Sequence, residues 1–485
     1  MTPAPHGQTP DPGAAAIPEP IEGLTLETTS IPGLLVLRVP VHRDNRGWFK
    51  ENWQRAKMTA LGMPDFGPLQ NNVSFNAHRG ATRGIHTEPW DKLVSVLTGR
   101  VFAAWVDMRA GETFGATFHV EIDPSVTVFV PRGVGNSYQA LEDGTAYSYL
   151  VNDHWRPGIS YPALNLADPT AAIPWPIPLA EAEISEKDQH NPLLAEVAPV
   201  PPRKTLIIGN RGQLGRALST LYPDAEGVDL DELDVTDAAQ VGAWPWSDYQ
   251  LILNAAAFTA VDAAETPEGR RTAWAANATA PATLARIATE HHLTLVHYSS
   301  DYVFDGTAQL HTEDEPLSPL GVYGQSKAAG DLAVANAPRH YLLRTSWVVG
   351  DGKNFVRTMR QLALDGVSPS VVDDQIGRLT FTADLAAATR HLVDSAAPFG
   401  TYNVTGSGEP ASWADLARRV FELCGRSPDD VSTTTTDAWA EGKLVSPRPR
   451  HSTLDLSKIE ATGFKSEDHW SGLETYVASL ESWSL

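Results

Sequence analysis

The chain has 485 residues, of which 42% are hydrophobic and 20% charged, a composition typical of soluble globular proteins with two or three domains. Its 59 acidic and 37 basic residues give a formal net charge of −22, which argues against binding to a nucleic-acid backbone. The single cysteine, Cys424, excludes an intramolecular disulfide and a cysteine-based zinc site. These features favour a protein of the reducing cytoplasm.

The first 20 residues, MTPAPHGQTPDPGAAAIPEP, are rich in Pro, Ala and Gly. They have no cationic start followed by an apolar stretch, so we expect a disordered leader rather than a signal peptide. No run of about 18 apolar residues occurs in the chain, and the sequence therefore predicts no membrane-spanning segment and no membrane partner.

Residues 21–190 contain short β-type runs separated by turn signals, including GLLVLRVPV, TFHVEI, VTVFVP and AYSYLV. This spacing predicts an all-β sandwich or barrel. The Pro-rich stretch NPLLAEVAPVPPRK follows, and we assign residues 191–203 to a stiff, extended linker.

Residues 204–485 alternate strands with helical segments. The strands TLIIGN, YQLILNAAA, LTLVHYSS and HYLLRTSWVV are separated by stretches such as RTAWAANATAPATLARIATEHH. Such alternation predicts βαβ units around a parallel sheet, so the chain reads as an all-β domain followed by an α/β domain.

In the all-β region, TRGIH places His86 six residues before Lys92, YSYLV supplies two tyrosines, and ISEKD supplies Asp188. A histidine backed by an aspartate is a general base, a lysine stabilises an enolate oxygen, and a tyrosine returns a proton. Together they would epimerise a carbon next to a ketone without a metal. A metal-binding site is the alternative, although the histidines lack close spacing, and a binding module without chemistry is another.

Residues 21–192 resemble the dTDP-4-dehydrorhamnose 3,5-epimerase family through the ordered motifs RG-F-E, Q-N-S, RG-x-H, VDMR and S-x-K-D. The resemblance implies a jelly-roll cupin that works without metal, with His86 as the base, Asp188 as its partner and Lys92 at the enolate oxygen. It implies that Tyr149 is the acid on the opposite face, with Tyr147 as the competing candidate. The implied substrate-binding residues are Arg46, Glu51, Gln70, Asn72 and Arg83.

The chain departs from this family at GNSY, residues 135–138. Asn136 stands where the family has a histidine beside the substrate. The departure leaves open which sugar is preferred and how far C3 and C5 are each epimerised.

In the α/β region, GNRGQLG follows a strand and precedes a helix, as in loops that hold a dinucleotide pyrophosphate. NAAAFTAVDAAE and SSDYVFDG end later strands, and YGQSK places Tyr323 and Lys327 on one helical face. A lysine ammonium stabilises a nearby phenolate, so we expect Lys327 to lower the pKa of Tyr323. Tyr323 would then exchange a proton with a carbonyl oxygen during hydride transfer, assisted by Ser300. A plain turn or a surface helix would explain either motif alone.

Residues 204–485 resemble the extended short-chain dehydrogenases/reductases, specifically the dTDP-4-dehydrorhamnose reductase family, through GQLG, LDVTD, SSDYVFDG, YGQSKAAGD, VVDDQIGR and PRPRHSTLD. The resemblance implies a Rossmann fold with a small substrate-binding C-terminal subdomain. It implies that Asp301, Tyr302 and Trp347 face the sugar and that Arg448 meets the diphosphate. The implied cofactor-binding residues are Gly209, Asn210, Arg211, Gly212, Gln213, Leu214, Gly215, Asp234, Val235, Ala255, Ala256, Ala257, Tyr323 and Lys327.

The sequence contains signals for both nicotinamide cofactors. Arg211 could meet the 2′-phosphate of NADPH, whereas Asp229 could hold the free 2′-hydroxyl of NADH. We expect NADPH, with NADH as an accepted substitute. A Mg²⁺ ion in the reductase stays open, although no sequence feature supports one.

The two resemblances together imply one bifunctional enzyme of dTDP-L-rhamnose biosynthesis. Its first half would epimerise dTDP-4-dehydro-6-deoxy-D-glucose at C3 and C5, and its second half would reduce the resulting 4-ketone with NAD(P)H. We also expect a homodimer. The alternatives are a nucleotide-sugar 4-ketoreductase with a non-catalytic jelly-roll module, and a variant that makes another dTDP-6-deoxyhexose.

Overall fold

The structure is a computed structural model that describes residues 23–154 and 161–481. The chain divides into two compact units, Met1–Pro202 and Arg203–Leu485. The leader predicted for residues 1–20 lies outside the described residues. Among the residues described, no helix is both long and apolar enough to cross a membrane.

The first unit is built on two large β-sheets, and β3 and β4 pair separately as a two-stranded sheet. One large sheet has six antiparallel strands in the order β1-β2-β10-β7-β12-β5, and the other has the order β13-β6-β11-β8-β9. Its elements are β1 (Thr25–Thr28), β2 (Leu35–Arg38), β3 (His42–Asp44), β4 (Gly47–Phe49), α1 (Arg55–Ala60), β5 (Gln70–Asn76), β6 (Ala81–His86), β7 (Lys92–Thr98), β8 (Val101–Asp107), β9 (Thr117–Ile122), β10 (Val126–Val130), β11 (Val134–Ala140), β12 (Thr145–Val151), β13 (Glu183–Ile184) and α2 (Glu186–Gln189).

The core of the first unit lies between these sheets. Alternate residues of β7 and β10, including Val94 and Val128, point into it because successive side chains of a strand face opposite ways. Trp105 of β8 and Tyr147 of β12 are fully buried there.

The segment predicted as an extended linker is partly packed structure. Leu194 is buried in a cluster of the first unit, and its N–H donates to Asp168 Oδ2 over 2.7 Å. Val200 pairs with the backbone at Arg109, where its N–H donates to the Met108 carbonyl. Because these backbone groups and the Leu194 side chain are bound, the stretch through Val200 belongs to the first unit rather than to a free spacer.

The second unit contains a six-stranded parallel sheet in the order β15-β14-β16-β17-β18-β23. Its strands are β14 (Lys204–Ile208), β15 (Glu226–Val228), β16 (Tyr249–Asn254), β17 (Thr294–Ser300), β18 (His340–Thr345), β19 (Val348–Val349), β20 (Ser370–Val372), β21 (Ile376–Gly377), β22 (Thr380–Phe381), β23 (Gly400–Asn403), β24 (Ala411–Ser412) and β25 (Ser432–Thr434). Its helices are α3 (Gln213–Leu221), α4 (Ala238–Ala243), α5 (Pro267–Trp274), α6 (Ala280–Glu290), α7 (Val322–Val334), α8 (Phe355–Leu364), α9 (Thr382–Asp394), α10 (Trp413–Leu423), α11 (Thr436–Ala440), α12 (Ser457–Glu460) and α13 (His469–Glu481).

Helices cover both faces of the parallel sheet. Ile208 and Ile252 lie in one apolar cluster with α6, whereas Ile207 and Leu253 lie in another with α3 and α9. This alternation explains why the strands are apolar throughout, since both faces of a parallel sheet are buried. A third cluster joins α8, α10 and α13.

The backbone at Gly84 requires glycine. Its φ is +121°, and a Cβ atom there would lie 2.6 Å from the Ser137 Cβ on β11. A side chain would therefore force apart the two strands that carry His86 and Asn136.

We predict that Gly84→Ala lowers the free energy of unfolding of the first unit by about 1–3 kcal/mol from backbone strain alone, with the overlap adding to the loss. Chemical denaturation followed by tryptophan fluorescence measures the change. Gly111→Ala is the matched control, because Gly111 also has a positive φ but open space around its Cβ position. Equal losses in the two variants would show that contact with Ser137 contributes nothing.

Candidate active sites

His86 and Asp188 form a hydrogen-bonded pair in the first unit. His86 ends β6, and its Nε2 lies 2.7 Å from Asp188 Oδ1 on the short helix α2. The Gly84 N–H also donates to Asp188 Oδ2 over 3.3 Å. Burial raises the pKa of the Asp188 carboxyl, but the bond to His86, its charge and the Gly84 N–H together hold that pKa below its usual value.

A cavity of about 350 Å³ borders this pair. Arg83, Ser185 and Lys187 also line it. Two cations beside this His–Asp pair are suited to an anionic substrate. Lys187 was missed by the sequence analysis, although it lies inside the quoted motif ISEKD.

Lys92 and Tyr149 lie on neighbouring strands, β7 and β12. The Lys92 ammonium is 5.9 Å from the centroid of the Tyr149 ring, and the residue is 3% exposed. It forms an ion pair with Glu88, another residue that sequence reasoning missed. Burial raises the pKa of Tyr149, and the charge of Glu88 raises it further, so the phenol is held in its protonated form.

Tyr147, the competing candidate for the acid, is fully buried. Its ring stacks on Tyr138 with 4.1 Å between centroids, and its hydroxyl donates to Asn136 Oδ1 over 3.1 Å. Burial raises its pKa well above the usual value. Tyr149 is the more accessible of the two, which agrees with the choice of Tyr149 as the candidate acid.

The predicted substrate-binding residues of the first unit are spread over several elements. Arg83 donates to Asn76 Oδ1 over 3.1 Å, and Gln70 donates to Asn72 Oδ1 over 2.7 Å. Asn72 lies opposite Tyr149 in the β5–β12 pairing. These residues are therefore near the His86 and Tyr149 strands.

Arg46 and Glu51 have other partners. Arg46, in the turn between β3 and β4, forms an ion pair with Asp44, and Glu51 forms one with Lys57. Both side chains are largely exposed. No contact among the described residues joins them to His86.

In the second unit, the glycine loop fits closely against the parallel sheet. Gly209 has a φ of +79°, and a Cβ there would lie 2.8 Å from the Ala256 backbone nitrogen. A Cβ at Gly215 would overlap the Gly209 carbonyl. Helix α3 follows without a side-chain cap. The loop thus brings an uncapped helix N-terminus to the carboxyl edge of the sheet.

Arg211 of this loop is surrounded by carboxylates. Its backbone N–H donates to Asp229 Oδ2 over 3.1 Å, and its guanidinium binds Asp231 over 2.7 Å and also Glu232. The bond to Asp231 and the charge of Glu232 raise the pKa of Arg211. Arg211 and Asp229, the two residues predicted to contact the 2′ position of the cofactor's ribose, are therefore hydrogen-bonded to each other.

The remaining predicted cofactor residues lie around the same edge of the sheet. Ala255, Ala256 and Ala257 follow β16, and the Ala255 N–H donates to the Ile208 carbonyl over 2.9 Å. Val235 is buried, and Asp234 accepts bonds from Thr236. Gln213 and Leu214 begin α3, where Gln213 Oε1 accepts from the Gly350 N–H. Asn210 packs against Gly227 of β15.

Tyr323, Ser300 and Lys327 meet at the end of β17. Lys327 is 2% exposed and donates to the Tyr298 carbonyl over 2.6 Å. The prediction that Lys327 lowers the pKa of Tyr323 is wrong for this structure. Burial raises the pKa of Tyr323 to about 12, and this effect exceeds the lowering by a hydrogen bond with Ser300. A protonated phenol is the form needed by a proton donor.

Tyr302 and Arg448 lie next to Tyr323. The Tyr302 and Tyr323 rings are 5.5 Å apart edge to face, and Arg448 donates to Asp262 over 3.0 Å. Tyr302 and Arg448 line a cavity of about 560 Å³ together with Gln375, Trp413 and other residues.

Asp301 and Trp347 were both predicted to face the sugar. Trp347 stacks on Trp413 of that cavity with 3.8 Å between ring centroids. Asp301 is buried and accepts from Ser300 over 3.0 Å. In this structure Asp301 is therefore a neighbour of the Ser300 hydroxyl.

Two acidic residues in NAAAFTAVDAAE organise this site, although sequence reasoning gave neither a role. Asp262 binds Arg448 and the Ser446 N–H. Glu265 accepts from the Val322 N–H at the start of α7 and from the Ser446 hydroxyl. The two acids connect the loop of Arg448 to α7, the helix that carries Tyr323. The motif NAAAFTAVDAAE, which contains both of them, is the sequence signal that could have identified them.

Asn277 also went unnoticed in the sequence. It lies in a π-helical turn, Ala275–Thr279, where its amide binds both backbone groups of Phe258 and the Ser326 hydroxyl. Ser326 in turn donates to the Tyr323 carbonyl. Asn277 therefore fixes α7 relative to the segment after β16, and a single asparagine in a helical stretch gives no sequence signal for this role.

A two-sheet unit with a His–Asp pair, joined to a parallel-sheet unit with a glycine loop and a Tyr–Lys pair, is typical of an isomerase domain followed by a nucleotide-dependent reductase domain. The family model described as dTDP-4-dehydrorhamnose 3,5-epimerase matches residues 28–196. The model described as RmlD substrate binding domain matches residues 203–482. The chain therefore belongs to the dTDP-4-dehydrorhamnose 3,5-epimerase family through its first unit and to the RmlD reductase family through its second.

Individual relatives agree with this assignment. A protein RmlC homolog of Streptococcus pyogenes serotype M6 is 50% identical over 184 residues, which are 36% of this chain and 92% of that protein. A dTDP-4-dehydrorhamnose reductase of Aggregatibacter actinomycetemcomitans is 36% identical over 296 residues, 57% of this chain and 99% of that protein. A solved dTDP-4-dehydrorhamnose reductase of Bacillus anthracis in complex with NADP is 30% identical, with 57% of this chain and 98% of that chain covered and a TM-score of 0.52.

Both an epimerase domain and a reductase domain of dTDP-rhamnose biosynthesis are thus present in one chain. This confirms the prediction of a bifunctional enzyme at the level of its domains.

We predict that the reduction rate falls as the pH rises through about 8. Burial lowers the pKa of Lys327 to about 8, while the nearby Asp331 carboxylate partly opposes this effect, so the ammonium is charged below that pH and lost above it. His297 also faces Lys327 but is held neutral by burial. The profile of kcat for NADPH oxidation between pH 6 and 10 measures the step.

Lys327→Met should be slow at every pH and show no step near pH 8. A wild-type profile that stays flat through this range, or a step that survives in Lys327→Met, would contradict the assignment of the ionisation to Lys327.

Proposed function

We propose that the first unit converts dTDP-4-dehydro-6-deoxy-D-glucose into dTDP-4-dehydro-L-rhamnose and that the second unit reduces this ketone with NADPH to dTDP-L-rhamnose. The observation that carries the proposal is the presence of two reactive sets in one chain. One is the His86–Asp188 pair, and the other is Tyr323 with Ser300 and Lys327. The first unit is then a jelly-roll cupin, and the second is a Rossmann fold with a small C-terminal substrate-binding subdomain.

For epimerisation, His86 would remove the proton from the carbon next to the ketone. Asp188, 2.7 Å away, orients the imidazole and stabilises the charge it gains. Lys92 would stabilise the enolate oxygen, and Tyr149, whose pKa is raised, would return a proton from the opposite face. Repeating the exchange at the carbon on the other side of the ketone inverts the second centre.

For reduction, a bound nicotinamide cofactor supplies the hydride. The residues present fit such a group, because Gly209 and Gly215 have no room for side chains and α3 begins without a side-chain cap. Tyr323 would donate its hydroxyl proton to the C4 oxygen, and Ser300 would donate a hydrogen bond to the same oxygen. The Lys327 ammonium would stabilise the resulting phenolate.

NADPH is the cofactor proposed here, with NADH as a substitute. The likeness to the Bacillus anthracis reductase in complex with NADP supports this choice. Arg448, beside Tyr302 in the 560 Å³ cavity, would bind the diphosphate of the substrate.

We assign residues 21–200 to the epimerase domain, 201–203 to the connection and 204–485 to the reductase domain, and we place the enzyme in the cytoplasm. A homodimer paired through the sheets of the first unit is also proposed. Its support is β5 at the edge of the six-stranded sheet, where Val73 and Phe75 are 55% and 65% exposed.

One observation favours a second candidate function. Asn136 replaces a histidine of the epimerase family, as expected if the β unit were a non-catalytic module attached to a 4-ketoreductase. The experiment below separates the two candidates.

We predict that the two activities are lost independently. In heavy water without cofactor, the wild type should exchange deuterium into C3 and C5 of dTDP-4-dehydro-6-deoxy-D-glucose, as followed by NMR. His86→Ala should slow this exchange by about 10²- to 10⁴-fold, the usual loss for a general base. Tyr323→Phe should abolish NADPH oxidation and leave exchange intact.

The matched controls are His190→Ala, an exposed histidine two residues after Asp188, and Tyr222→Phe, whose hydroxyl has no partner in the described structure. Both should behave as the wild type. Absence of exchange in the wild type would contradict the epimerase and favour the non-catalytic module.

We further predict that the carboxylates around Arg211 reduce the preference of the enzyme for NADPH over NADH. Asp231→Asn with Glu232→Gln should raise the ratio of kcat/KM for NADPH to that for NADH roughly three- to tenfold, the scale of exposed charge effects. The reason is that the guanidinium is released and two charges that repel the 2′-phosphate are removed.

Arg211→Ala should lower the same ratio. Glu290→Gln, which breaks a surface pair with Arg286 on α6, is the control and should leave it unchanged. An unchanged or lower ratio in the double variant would rule out this role for Asp231 and Glu232.

A further inference from the structure

Lys327 and Asp331 are two buried, oppositely charged residues on one face of α7. They lie four residues apart, so their side chains are neighbours on the helix, with about 5–6 Å between the β-carbons. Lys327 is 2% exposed and Asp331 is 1% exposed. The hydrogen-bond acceptor of the Lys327 ammonium, the Tyr298 carbonyl, is neutral. The Asp331 carboxylate therefore supplies the opposite charge that favours the ammonium at this depth.

Arg344 of β18 holds the Asp331 carboxylate in place. Its Nε donates to Asp331 Oδ2 over 3.0 Å, and its Nη1 donates to the Glu313 carbonyl over 2.9 Å. The guanidinium also lies 5.2 Å from the centroid of the Phe304 ring. Asp331 Oδ1 has no hydrogen-bond partner among the described residues. One carboxylate oxygen is thus anchored by Arg344, and the other is left without a donor of its own.

Several elements bring titratable and charged groups to the surroundings of Lys327. His297 of β17 faces it and is held neutral by burial. Further such groups on α7 and on the elements packed against it are Tyr323 of α7 itself, Arg344 of β18, Asp301 after β17 and Glu265 before α5. The charged residues of α5 and α6 are exposed. Among all these groups, Asp331 raises the pKa of Lys327, and its charge adds to the rise in the pKa of Tyr323.

These two effects have opposite consequences once Tyr323 gives up its proton. A nearby carboxylate favours the protonated phenol before the transfer, but it opposes the phenolate that the transfer leaves behind. The phenolate therefore needs a compensating positive charge, which a neutral amine at position 327 would not supply.

We propose that Asp331, held by Arg344, is a positioning residue of the reductase that keeps the Lys327 amine charged, so that Tyr323 can lose its proton to the sugar. Asp331 acts through Lys327 and does not touch the substrate. This inference rests on the proposed reductase function.

Asp331→Asn removes the carboxylate charge and keeps the shape of the side chain. Because the ammonium then loses its opposite charge, the pH at which kcat falls should move from about 8 to lower pH by about 1–3 units. NADPH oxidation at saturating NADPH and epimerised ketone between pH 5 and 10 measures this shift. The rate lost at pH 8 should return as the pH is lowered, whereas a merely structural defect would lower kcat equally at every pH.

Asp331→Asn combined with Arg344→Met removes both charges together. Its step should lie between those of the single variant and the wild type, because the repulsion by an unpaired guanidinium is gone. If the single variant does not fold with Arg344 buried and unpaired, the double variant decides. Asp384→Asn on α9 is the matched control, since Asp384 is also a half-buried or more deeply placed helical acid whose Oδ2 has no partner among the described residues. Its step should stay near pH 8.

Three outcomes would overturn the proposal. If both Asp331 variants keep the wild-type step, Asp331 only anchors Arg344. If the single variant shifts the step and the double variant does not, the unpaired Arg344 causes the shift. A wild-type profile without a step would leave no ionisation for Asp331 to control. Failure of the reductase function is distinct from all three, because the wild type would then oxidise no NADPH with this ketone.

Discussion

Charge that is buried inside a protein must be paired, and both candidate sites depend on this constraint. Lys92, Asp188 and Lys327 are each less than 5% exposed, and each has a specific partner: Glu88, His86 and the Tyr298 carbonyl. A partner that compensates for lost hydration also fixes the position of the charged atom. The same contacts that make burial tolerable therefore fix the positions of the candidate base His86, the candidate oxyanion stabiliser Lys92 and Lys327.

The two units satisfy this constraint with different architectures. In the first, side chains from two facing sheets meet where the apolar core ends, so His86 and Tyr149 come from different sheets. In the second, the reactive groups collect at the carboxyl edge of one parallel sheet and on the helix that follows. One chain thus carries an epimerase domain and a reductase domain of one biosynthetic route, and the two domains position their candidate sites with different architectures.

Much of the fold and of both sites could be predicted from the sequence. The strand patterns, the glycine loop and the Tyr-x-x-x-Lys spacing are local, and they indicated the right elements and families. Contacts between distant segments could not be predicted in this way. The Asp262–Arg448 pair joins residues 186 positions apart. The hydrogen bonds of the Asn277 amide to Phe258 and Ser326 depend on a π-helical turn that has no local sequence signature. The predicted direction of the Tyr323 pKa shift was wrong, because burial, which motif spacing does not reveal, raises this pKa more than the hydrogen bond with Ser300 lowers it.

By itself the sequence determined the two domains and their order and indicated the candidate reactive side chains, since motif spacing is a property of the chain. Only the tertiary structure decided which charges are neutralised and which donors remain available. Arg211 is held by acidic residues that follow the next strand, and Asn136 turns its oxygen to Trp105 and Tyr147. Both outcomes depend on contacts between different strands, and for Asn136 also on the packing of the two sheets, because hydrogen-bond and ion-pair partners are set by position in space.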